Sequence, residues 1–66
     1  MIIFLNGNDY ECATGASLPK LLDELGLATK PVVVEYNEQA IFPREYAQIF
    51  LHEGDRVEII MLAAGG

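Results

Sequence analysis

Ser17-Leu18-Pro19-Lys20-Leu21-Leu22-Asp23-Glu24-Leu25-Gly26-Leu27 is the stretch on which the fold turns. Leu18, Leu21, Leu22 and Leu25 recur at i, i+3, i+4 and i+7, the spacing that lines side chains along one face of an α-helix. Lys20, Asp23 and Glu24 take the other side. Ser17 stands as the N-cap, where its hydroxyl accepts from an unpaired N–H, and Pro19 is tolerated in the first turn. Gly26 supplies the left-handed residue that ends helices, and Leu27 the apolar contact that follows it. The spacing therefore predicts a helix over 18–25 with one apolar face to bury.

Upstream, Ile2 to Leu5 favour extended structure and Asn6-Gly7-Asn8-Asp9 is hairpin turn chemistry. Tyr10, Glu11, Cys12 and Ala13 form the expected returning strand, broken by Thr14-Gly15. Downstream of Pro31, Val32-Val33-Val34-Glu35-Tyr36-Asn37 is β-branched and ends in the polar turn Asn37-Glu38-Gln39. Ile41, Phe42 and Pro43 read as a short extended piece, Arg44 to Gln48 as a brief helical turn, and Gly54-Asp55 as another turn. Arg56 to Leu62 is the last strand. It is apolar on both phases at its end, as in a strand central to its sheet. Strands on both sides of one helix predict a single α+β domain over 1–66, a small sheet packed on one main helix.

One helix covers one sheet face, yet the first and last strands carry large apolar side chains on both phases. With Ile2, Phe4, Ile59 and Met61 beneath the helix, Ile3, Leu5, Ile60 and Leu62 face away and form an apolar patch of the kind that marks a partner surface. The sequence does not fix the phase, so the two sets are exchangeable at this stage. The other reading is that the segment from Ile41 to Leu51 folds over the patch.

Composition narrows the function classes. Four Lys plus Arg stand against ten Asp plus Glu in 66 residues, a net charge of −6. That balance argues against nucleic acid, whose binding rests on cationic side chains neutralising phosphates, and favours a partner with a basic face. A chain this short buries roughly 60% of its unfolded surface and has few residues to wall a catalytic cleft. Cys12 is the single cysteine and His52 the single histidine, so no disulfide and no metal site of the usual Cys and His ligands is expected. A lone free cysteine fits a reducing, cytoplasmic setting. The apolar run Ile2 to Leu5 is short for a signal sequence, and no stretch reaches the ~20 apolar residues of a membrane span. Cys12 reads as a small core residue rather than a persulfide carrier, and His52 as a solvated loop histidine. Arg44 reads either as a partner contact or as a turn or ion-pair residue. Glu35, Glu38, Glu45, Glu53 and Glu58 read as a solvated acidic surface. With no nucleophile–base pair and no metal set, the chain does not read as an enzyme.

The informative end is Leu62-Ala63-Ala64-Gly65-Gly66. Side chains shrink to nothing as the chain leaves its last strand, and two terminal glycines arise by chance in about one chain in 200. Gly-Gly carries no Cβ, so such a tail can thread a narrow channel in another protein. Its carboxylate is a poor electrophile until a nucleotide activates it. A flexible arm over 63–66 ending in Gly66 reads as a reactive group on a handle.

With those elements in place the chain resembles the ThiS family, the sulfur-carrier proteins of thiamin biosynthesis, over essentially its whole length. The resemblance rests on the Asn6-Gly7 turn, the helix Leu18 to Leu25, Val34-Glu35-Tyr36-Asn37, Phe42-Pro43-Arg44, Gly54-Asp55-Arg56-Val57-Glu58-Ile59 and the terminal Gly65-Gly66. Phe42 departs from the Val usual before Pro-Arg, and Tyr46 stands where many relatives have Trp. The family implies a ubiquitin-like β-grasp fold and a protein co-substrate. A ThiF-like, E1-like adenylating enzyme would use ATP to adenylate the Gly66 carboxylate, with no cofactor bound by the carrier itself. Sulfur from a cysteine desulfurase persulfide would replace AMP to leave a thiocarboxylate, which a ThiG-like thiazole synthase would consume. Ala63, Ala64 and Gly65 would lie in the partner channel, with Ile3, Leu5, Ile60, Leu62 and Arg44 as candidate docking residues. The small subunit of molybdopterin synthase or another sulfur carrier keeps the same chemistry in a different pathway. A ubiquitin-like modifier or interaction module is the remaining alternative.

Overall fold

The computed structural model describes residues 1–62; the tail residues Ala63, Ala64, Gly65 and Gly66 lie outside the described residues. Strands β1 (Ile2–Leu5) and β2 (Asn8–Glu11) precede helix α1 (Leu18–Glu24). Strands β3 (Val32–Tyr36) and β4 (Gln39–Ile41), a 3-10 helix over Pro43–Gln48 and strand β5 (Arg56–Met61) follow. The sheet order is β2-β1-β5-β3-β4, with β1 and β5 parallel and the other neighbours antiparallel. This is the α+β, β-grasp architecture expected of the sequence, with the last strand at the centre.

Local chemistry sets each element. Ser17 Oγ accepts from the Lys20 N–H at 3.2 Å, and Pro19 sits in the first turn of α1. At the other end Gly26 takes φ +73°, Leu27 N donates to Leu22 O at 2.8 Å and Gly26 N to Asp23 O at 3.0 Å. That pair of bonds is a Schellman cap, satisfying two carbonyls that the helix leaves open. Asn6 and Gly7 are both left-handed, with φ of 50° and 83°, which makes a two-residue hairpin loop whose twist matches the strands. Pairing therefore resumes at once, Asn8 opposite Leu5, and β2 begins two residues before the expected Tyr10. Cys12 and Ala13 lie beyond its end.

Leu18, Leu21 and Leu22 of α1 pack on Ile3, Val34, Val57 and Ile59, one face of the sheet. The segment after the 3-10 helix is stitched to the start of α1, Leu18 N donating to Ile49 O at 2.9 Å and Leu51 N to Ala16 O at 2.8 Å. This drives Leu51 into the core and sets the 3-10 helix against α1. From the 3-10 helix to Leu51 the segment thus packs against α1, and only Phe42, with Arg44 stacked on its ring, reaches the opposite face, at its edge and without covering it.

The register of β1 on β5 corrects the expected face assignment. Leu5 pairs with Val57 and Phe4 with Arg56, and residues opposite one another share a face. Ile3, Leu5, Val57 and Ile59 consequently point inward, whereas Met61, expected beneath the helix, is 53% exposed at the end of its strand. Ile3 is fully buried and Leu5 half-buried, so both belong to the core side rather than to a docking surface. Ile60 and Leu62 remain exposed. Exchanging the two expected sets does not repair the assignment, because each joined an odd phase of one strand to an even phase of the other.

Candidate docking face and tail root

The sheet face away from α1 is assembled by β1, β5 and β3. Val33 lies directly opposite Ile60, Glu35 opposite Glu58, and Phe4 opposite Arg56. Val34 pairs with Ile41, and continuing that register by one residue sets Phe42, still extended at φ −85° and ψ 151°, opposite Val33. Phe42, Val33 and Ile60 then form a row across the C-terminal end of the sheet, with Leu62 beyond Ile60 and Phe4 behind. These five side chains are between 37 and 58% exposed, a run of large apolar groups that the fold itself does not cover.

Charge is arranged around that row. The Arg44 guanidinium sits over the Phe42 ring at 5.0 Å from its centroid, and Arg56 over Phe4 at 5.9 Å. Both cations are held by stacking on aromatic faces. Glu35 and Glu58 are directly opposed carboxylates, an arrangement that costs stability in a cross-strand pair and that a partner cation relieves. Of the expected docking residues, Ile60, Leu62 and Arg44 come together here; Ile3 and Leu5 do not. Phe4, Val33 and Phe42 join the row beyond the expected residues: a Val-Val-Val run shows no alternation, and the sequence left the phase of Phe4 open.

The tail root is held from both sides of β5. Toward β3, Leu62 N donates to Pro31 O at 2.9 Å. Toward β1, Asn6 N donates to Val57 O at 2.9 Å, after which β1 turns away. There the Asn6 side chain takes over: Oδ1 accepts from Ile59 N–H at 2.8 Å and Nδ2 donates to Ile59 O at 3.3 Å.

At the opposite end of β3 a polar knot closes the sheet. Asp55 Oδ2 accepts from the Tyr36 hydroxyl at 2.6 Å and from His52 N–H at 2.8 Å, and Oδ1 accepts from Asn37 Nδ2 at 3.3 Å. Burial pushes the Asp55 carboxyl upward, but these three donors outweigh it and hold it below the ordinary value. Tyr36 is pushed up to about 12 by burial, by that hydrogen bond and by the Asp55 charge. The His52 side chain is 78% exposed; its main-chain N–H bonds Asp55, and its ring Nδ1 lies 3.8 Å from Asp55 Oδ2. Cys12 is buried, and burial raises its thiol pKa, which keeps it a small protonated core group. No helix among the described residues is long and apolar enough to cross a membrane.

A model of the ThiS family matches residues 3–66. The sulfur carrier protein ThiS of Thermus thermophilus is 35% identical over 65 residues, covering 98% of this chain and 100% of that one. The thiazole synthase of Paramagnetospirillum magneticum is 32% identical over 66 residues, all of this chain. The chain spans 20% of that protein's length. The crystal structure of the thiamine biosynthesis protein ThiS from Geobacter metallireducens superposes with a TM-score of 0.85 at 26% identity, each chain covered in full. On the match over residues 3–66, the chain belongs to the ThiS family.

Proposed function

We propose that the chain carries sulfur on Gly66 for thiazole formation in thiamin biosynthesis. The observation that carries this reading is the family match running to the last residue, so that Gly65-Gly66 is part of the shared pattern. An adenylating enzyme of the E1-like class uses ATP to turn the Gly66 carboxylate into an acyl adenylate, releasing pyrophosphate. The terminal sulfur of a persulfide, charged by a cysteine desulfurase, displaces AMP; a thiol then cleaves the acyl disulfide and leaves the thiocarboxylate. A thiazole synthase takes that sulfur. The match to proteins named thiazole synthase, of which this sequence spans a fifth, supports that partner.

The carrier's own residues bind and position. Ala63, Ala64 and Gly65 present no side chain larger than a methyl to a channel, and the row Phe42, Val33, Ile60 with Leu62 and Phe4 offers docking area. Ordering each tail residue costs about 1–2 kcal/mol, so that face supplies the offsetting affinity. Arg44 points the contact toward an acidic partner group, and Glu35 with Glu58 toward a basic one. Net charge −6 steers the encounter with a basic surface. A reducing cytoplasm suits both the free Cys12 and the thiocarboxylate.

Intact mass spectrometry tests the reading. The chain is incubated with a ThiF-like enzyme, ATP and a persulfide donor, then with thiazole synthase and its substrates. The expected result is a mass gain of one oxygen replaced by sulfur at Gly66, lost on thiazole formation and absent when Gly66 is deleted. Gain without loss moves the carrier to another pathway, first toward molybdopterin. No gain, with isopeptide conjugates in extract, makes it a modifier.

A further inference from the structure

The Asn6 side chain replaces a piece of missing strand. In a parallel ladder the residue that donates to Val57 O next accepts, through its own carbonyl, from Ile59 N–H. Asn6 makes the first bond with its main chain, at 2.9 Å, but its φ of 50° has already turned the chain into the hairpin. Its side-chain amide, a peptide in miniature, supplies the acceptor and the donor that the main chain no longer can, at 2.8 and 3.3 Å to Ile59. Strand β5 runs on to Met61 while β1 ends opposite Val57. Without the amide, β5 would be paired on one side only beyond Val57.

We infer that Asn6 is a positioning residue for the C-terminal arm: it fixes the point at which the arm leaves the sheet, and thereby limits how many residues a partner must order when it captures Gly66. The second half of this statement rests on the carrier reading above; the first half does not. Ile59 is seven positions before Gly66 in the sequence. Ile59 is held on both sides, and Leu62, the last described residue, is bonded to Pro31 O. Released on its β1 side, the end of β5 opens more often, and Ile60 leaves its place in the docking row with it. The partner then meets a longer, less ordered arm. Such a loss weakens binding alike before and during reaction, so it raises KM and leaves kcat alone.

Two variants separate positioning from plain stability. Asn6→Gly keeps the left-handed backbone that the turn needs and removes the amide; Asn6→Asp keeps the acceptor and removes the donor to Ile59 O. Tyr36→Phe weakens the fold at the far end of β3 and serves as the comparison. Amide hydrogen exchange should speed up about tenfold at Ile59 in Asn6→Gly, roughly the protection one hydrogen bond confers, and less in Asn6→Asp. In the loading assay Asn6→Gly should raise KM for the carrier about tenfold at unchanged kcat, whereas Tyr36→Phe should leave KM alone. Unchanged exchange at Ile59, or an equal KM rise in Tyr36→Phe, overturns the inference. If no activating enzyme loads even the unaltered chain, the carrier reading fails on its own, and the exchange comparison still decides whether Asn6 holds the arm's root.

Discussion

The Tyr36 hydroxyl donates to Asp55 Oδ2 at 2.6 Å, joining the end of β3 to the loop that launches β5. Asp55 is held below its ordinary pKa because three donors converge on it, and Tyr36 stays protonated to about 12 because burial, and then the bond to the Asp55 carboxylate and its charge, disfavour the phenolate. The two shifts act at opposite ends of the pH scale. A depressed carboxyl stabilises the fold above its unfolded pKa, and that contribution is lost as pH falls from the ordinary value of 3.8 toward the lower folded one. A raised phenol stabilises below its unfolded pKa, and that contribution is lost between pH 10 and about 12.

Replacing Tyr36 with Phe should therefore cost about 1.5–3 kcal/mol at neutral pH, the range for a hydrogen bond to a charged group. Urea unfolding across pH should show the alkaline decline between 10 and about 12 reduced, and the acid decline smaller and complete at higher pH. An unaltered acid limb would mean that the other donors alone set the Asp55 pKa.

The face assignment makes a contrasting pair. Ile3→Ala removes a fully buried side chain from beneath α1 and should cost about 2–5 kcal/mol. Ile60→Asp alters a side chain 52% exposed and should leave the midpoint of unfolding within about 0.5 kcal/mol. The binding effects should run the other way, with Ile60→Asp weakening capture by an activating enzyme at least tenfold. Calorimetry alongside titration against that enzyme checks both halves.

Glu35 and Glu58 face each other across β3 and β5, and among the described residues neither forms an ion pair. Neutralising one, as Glu35→Gln, should stabilise the free chain by about 0.2–1 kcal/mol through relief of like-charge repulsion. The same change should slow association with a basic partner, and more so at low salt than at high salt, where such charges are screened. Stopped-flow association at two ionic strengths measures it.

Local signals were legible where the chemistry is local. Ser17, Pro19, Gly26 and Leu27 bracket α1 through bonds that span at most five residues, so their pattern in the sequence was enough to place the helix and both caps. The Asn6-Gly7 turn was legible for the same reason, although the tightness of the loop moved β2 two residues earlier than expected. The docking face was only half legible. Ile60 and Leu62 are exposed on that face as expected, with Arg44 beside it, whereas Ile3 and Leu5 lie on the core side, and Phe4, Val33 and Phe42 join the exposed row without a signal that singles them out.

By itself the sequence determined the α+β architecture, the central last strand and the family pattern that ends at Gly66, because hydrophobic period, caps and turns depend on neighbours along the chain. The tertiary structure alone decided which side chains look outward, since that follows from the register of β1 on β5, a pairing of residues 52 positions apart. A shift of one residue there reverses every side chain on the strand. The role of Asn6 was hidden in the same way: its partner Ile59 is 53 residues distant, and nothing near Asn6 in the chain records that its amide completes a strand.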